Sequence, residues 1–74
     1  MTTESQSIIQ NAITANLAAL TQRLTQAAEL AKEAHEAMAK GEQNLAIGTI
    51  TDFDRLLPET QALYSAAIAL HRGR

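Results

Sequence analysis

A chain of 74 residues has room for one small domain, and with no Cys and only two His it has no disulfide, no thiolate metal site and little for an imidazole site. Six Lys and Arg against eight Asp and Glu leave a net charge of −2, which lacks the cationic surplus that binding a DNA or RNA backbone needs. No run approaches the ~18 apolar residues that span a bilayer and the amino terminus lacks a signal-peptide pattern, so the chain reads as a soluble, cytoplasmic protein.

The first helix is predicted over about residues 4–40, starting near Thr3 to Ser7. Thr3 with Gln6 and Ser7 with Gln10 both have capping-box spacing. Ile13, Leu17, Leu20, Leu24, Ala27, Ala31, Ala34 and Met38 then follow at alternating spacings of four and three, an apolar heptad seam sustained along the helix. Gly41 is the expected stop, since it takes a left-handed conformation without steric penalty. Lys40 beside it suits the negative end of the helix dipole. Residues 41–44 read as a turn short enough to join antiparallel neighbours.

The second helix is predicted over about residues 45–72, with Ala46, Ile50, Phe53, Leu57, Thr60, Tyr64, Ala67 and His71 at the same spacing. Leu45, Leu56, Leu63 and Leu70 widen its apolar arc. Gly48 weakens it, and Pro58 removes one helical hydrogen bond, so a kink or break is expected at Leu57–Pro58. The fold class that follows is all-α: a single-domain antiparallel hairpin. Paired about the turn, the helices leave Ile8, Ile9, Leu30, Ile47, Leu56 and Ile68 at least partly bare. Covering them calls for a homo-oligomer, a four-helix bundle of two hairpins or a higher assembly. The expected interface is Ile9, Ile13, Leu17, Leu20, Leu24, Leu30, Leu56, Leu63 and Ile68. Between Thr2 and Gln22 the only charge is Glu4, and such depletion marks interface cores.

Candidate chemistry is sparse. A di-metal helix carries Glu three residues before its His, but that position before His35 is Lys32, so no metal is expected. His71, in the last turn, complements the helix dipole. Asp52 and Asp54 diverge around a helix, and Arg55 is spaced for surface ion pairs with Asp52 and Glu59. With no nucleophile neighbourhood and no glycine-rich phosphate loop, neither an enzyme nor a cofactor is expected. The remaining polar cluster is Arg23, Thr60 and Tyr64, with Asn16 one heptad earlier. Arg72 and Arg74, from the same or a neighbouring copy, can add charge to it. A guanidinium and a ring at a subunit junction suit a planar, anionic, nucleotide-like ligand.

In size and hairpin layout the chain is similar to two groups. One is the small RNA-modulating antiparallel four-helix-bundle proteins of plasmids; the other is the short phage-encoded helical oligomers that sequester cyclic-nucleotide immune signals. The likeness is one of architecture, with no shared motif. Two functions follow as expectations. The first is a non-enzymatic homo-oligomeric interaction protein that binds or inhibits another protein through its uncharged amino-terminal face. The alternative is an oligomer that sequesters a small nucleotide-like molecule at its subunit junctions.

Overall fold

The computed structural model describes residues 3–73. They form three helices, α1 (Thr3–Ala39), α2 (Gln43–Ile50) and α3 (Phe53–Arg72), with α2 and α3 together packing back along α1 as an antiparallel hairpin. Helix α1 begins at Thr3, so Ser7 and Gln10 lie inside it and form no capping box; the expected Thr3 cap and Arg74 fall outside the described side chains.

The turn is built by Gly41. At φ +79° it occupies the left-handed region, as its place in the sequence predicts. The Gly41 N–H donates to the Met38 carbonyl (2.9 Å) and the Glu42 N–H to the Ala37 carbonyl (2.9 Å), the paired bonds of a Schellman motif. The Glu42 carbonyl then accepts from the Ala46 N–H at 3.0 Å, starting α2 at once. Only Lys40, Gly41 and Glu42 separate the helices, a shorter turn than 41–44. So tight a connection holds two backbones close together. Small residues fill the space beside it, and Ala34, Ala37 and Ala46 form the buried cluster there.

The second arm is kinked, as expected, but the interruption lies at Thr51–Asp52 rather than at Leu57–Pro58, and Pro58 sits inside α3. Thr51 (φ −64°, ψ −21°) and Asp52 (φ −60°, ψ −18°) stay helical but tighten towards 3₁₀ geometry. Bonds from Asp54 N–H to the Thr51 carbonyl and from Arg55 N–H to the Asp52 carbonyl, both 3.0 Å, mark that tightening. Pro58 takes one donor from the helical ladder, that for the Asp54 carbonyl, yet α3 runs on through it. Two threonines favour the interruption at Thr51–Asp52. Thr49 Oγ1 donates to the Leu45 carbonyl (2.8 Å) and Thr51 Oγ1 to that of Gly48 (2.7 Å), competing with the helical ladder.

The buried arc of α1 only partly follows the predicted heptad seam. The buried and half-buried residues of α1 include Ile9, Ala12, Ile13, Asn16, Ala19, Leu20, Arg23, Ala27, Leu30, Ala34 and Ala37, an arc that takes in Ile13, Leu20, Ala27 and Ala34 of the predicted seam and leaves Leu17, Leu24, Ala31 and Met38 outside. Opposite them stand Phe53, Leu56, Thr60, Leu63, Ala67 and Leu70. Leu56 is fully buried between the arms, so its expected place among bare interface residues is corrected: it belongs to the hairpin's own core. It is the only large side chain so enclosed among the described residues.

The product is a rod. Its extents are 59 × 15 × 12 Å, and its radius of gyration of 17.1 Å compares with about 11 Å for a compact domain of this length. It exposes 5505 Å² of surface, where a compact monomer of 8.0 kDa exposes about 4,500 Å².

Candidate functional site

Part of the predicted seam of α1 stays outside. Leu17 is 49% exposed and Leu24 51%, flanked by half-buried Ile13 and Leu20 and followed by Ala31 and Met38. On the other arm Ile50, Leu57 and Tyr64 stand one heptad apart, with Leu57 56% and Tyr64 53% exposed. Helix geometry turns both series to the same side of the hairpin, because each is displaced in the same sense from its inward seam and the arms are antiparallel. A groove of about 400 Å³ joins them near the turn, lined by Ala31, His35, Met38, Ile47, Ile50 and Phe53 among others. One broad face of the two-helix layer is therefore largely apolar and bare from its middle to the turn.

The opposite flank of α3 is charged. Arg23 Nε donates to Glu59 Oε1 at 2.8 Å across the arms, and Arg55 Nη1 donates to the same oxygen at 3.1 Å. Arg55 also approaches Asp52 at 3.9 Å, so the ion pairs expected around Arg55 are present. The link to Arg23 has no signal in the sequence, since nothing in a single helix's spacing announces a partner on the other arm. With both side chains about a third exposed, the Arg23–Glu59 bridge serves register more than stability.

The structure only partly gathers the expected ligand residues. Thr60 is half-buried one residue beyond Glu59, and Asn16 spends its Nδ2 on the Ala12 carbonyl of its own helix at 3.1 Å. Tyr64 lies about 140° around α3 from Glu59, turned to the apolar face while Arg23 is drawn to the charged flank. Arg72 is about 12 Å further along α3 than Tyr64. There it lines an open-ended cleft of about 520 Å³ with Gln6, Ile9, Gln10, Ile13, Leu70 and His71. Among the described residues, the Tyr64 ring and the Arg23 guanidinium do not converge.

Of the expected interface residues, Leu17 and Leu24 are exposed and Ile9, Ile13, Leu20, Leu30, Leu63 and Ile68 half-buried. The face adds Met38, Ile47, Ile50, Leu57 and Tyr64, which lie outside the expected set. Their heptad spacing is visible in the sequence, but which arc of a doubly apolar helix stays outside is not. Among the described residues no three His, Asp or Glu side chains gather as a metal site, and no helix is long and apolar enough to cross a membrane.

No known family, curated protein or solved structure matches the chain, so the likeness in hairpin layout remains one of architecture.

Proposed function

We propose that this chain is a non-enzymatic helical interaction protein. Two copies close their bare apolar faces on one another as a four-helix bundle, and the bundle binds a partner protein. The observation that carries the reading is the uncovered seam of Leu17, Leu24, Leu57 and Tyr64. The rod's excess of about 1,000 Å² over a compact monomer is close to the ~800 Å² that each partner contributes to a standard interface. Size supports it too: a small core without disulfides gains stability from oligomerisation.

The partner surface in this reading is the uncharged outer side of α1, where Asn11, Thr14, Thr21 and Gln22 are exposed. The ligand-sequestering alternative has less behind it, because Arg23 is already neutralised by Glu59 and Tyr64 faces elsewhere.

Sedimentation equilibrium of the wild type and of Leu24→Glu tests the self-association. A dimer at micromolar concentration for the wild type, reduced to monomer by the glutamate, is expected; a wild type that sediments as a folded monomer refutes it. Native mass spectrometry of protein isolated from its host then reports the partner. Asn11→Arg with Thr14→Arg should release that partner while leaving the dimer mass unchanged.

A further inference from the structure

Resting on that self-association, we infer that the two copies pair about a two-fold axis running along the hairpin, so that both turns lie at the same end of the bundle. Two closed arrangements would cover the same face. With the axis along the helices, each half of the face meets its own counterpart. With the axis across them, the turn half of one copy lies on the open half of the other.

The face is graded in polarity, and that grading distinguishes the two. On α1 the outward seam, followed from the open end, runs Gln6, Gln10, Ile13, Leu17, Leu20 and Leu24, and ends at Met38 beside the turn. On the other arm it runs from Ile50 through Leu57 and Tyr64 to His71, one heptad at each step. Both arms are apolar near the turn and polar at the open end. The groove by the turn has His35 as its only ionisable lining residue. The cleft at the open end sets Gln6, Gln10, His71 and Arg72 around Ile13 and Leu70.

Opposite-end pairing would press those amides, the imidazole and the guanidinium into the partner's apolar groove, and symmetry would do it twice. Polar groups so placed lose water and gain almost no hydrogen-bonding partner. Same-end pairing lays the apolar halves on each other and leaves the open ends polar against polar, where water or mutual hydrogen bonds serve them. Charge and amides then sit at the rim, as they do in protein interfaces generally.

The chain has no Cys, so a single substitution gives one label per copy. Glu42→Cys, at the exposed turn, is spin-labelled in the full chain, and the distance between labels is measured by pulsed dipolar spectroscopy alongside the mass of the species. A dimer with labels within about 25 Å is expected, given interaxial distances of 8–10 Å plus the label arms. A dimer whose labels approach the 59 Å length of the rod overturns the orientation while leaving self-association intact. A monomer overturns the self-association itself, and any stoichiometry other than two overturns the two-fold pairing. Lys40→Cys repeats the measurement from the other side of the turn, so loss of helicity in one variant does not end the test.

Discussion

Leu56 and Leu57 are chain neighbours with opposite fates, and truncating each to Ala separates the fold from the assembly. Leu56 is fully buried between the arms, so Leu56→Ala removes core contacts and leaves a cavity, at a cost of about 2–5 kcal/mol. A domain of 74 residues has only about 4–11 kcal/mol to lose, so a large share of its stability goes. Leu57 is 56% exposed in one copy; burying the remainder against a second copy contributes about 0.8–1.7 kcal/mol, taking 1.5–3 kcal/mol for a whole leucine. Two copies double that figure, so Leu57→Ala should weaken dimerisation roughly 20- to 300-fold in Kd. The assay is a pair of measurements on each variant: urea unfolding followed by helical circular dichroism, and sedimentation equilibrium for Kd. Leu56→Ala should move the unfolding midpoint strongly at every protein concentration. Leu57→Ala should move Kd, and lower the midpoint only as far as weaker association requires. Equal losses of stability, or a Leu57→Ala protein that associates like the wild type, would refute the assignment of the two leucines to different surfaces.

Gly41→Ala should destabilise by about 1–2 kcal/mol, because φ +79° is strained for any residue with a β-carbon; thermal melts should show a midpoint lower by several degrees. Gly48→Ala should do the reverse by about 1 kcal/mol, since it lies inside α2 with no atom within 4 Å of an added β-carbon. Pro58→Ala restores a donor for the Asp54 carbonyl at an exposed position and should stabilise by about 1–3 kcal/mol in urea unfolding; a loss would show that the bend at Thr51–Asp52 needs the ring. Glu59→Gln should cost less than about 1 kcal/mol, and the difference from wild type should shrink as salt is raised, because the Arg23 and Arg55 bridges are only partly shielded from water.

Much of the candidate face is legible in the amino-acid sequence. Leu17 and Leu24 belong to a seam that the four-three spacing announces, and the wide apolar arc of the second arm predicts surface left over. The ligand cluster rests on proximity along an antiparallel register. That register brings Arg23 to the level of Thr60 and Tyr64, but level is not direction. Spacing along one helix pairs Glu59 with Arg55 alone, whereas in the fold Glu59 also takes hold of Arg23.

What the sequence determined by itself is whatever depends on near neighbours in the chain. Helical periodicity, the left-handed stop at Gly41 and the antiparallel return through a short turn all follow from residues within a turn or two of each other. Two features were decided only in three dimensions. The bend falls at Thr51–Asp52 rather than at Pro58, beside threonine hydroxyls that compete for the Leu45 and Gly48 carbonyls. Beside the turn the side chains of α1 that go inside are Ala34 and Ala37, because the three-residue connection holds the backbones too close for larger ones there. Periodicity counts the apolar positions on a helix; the distance to the neighbouring helix chooses which of them go inside.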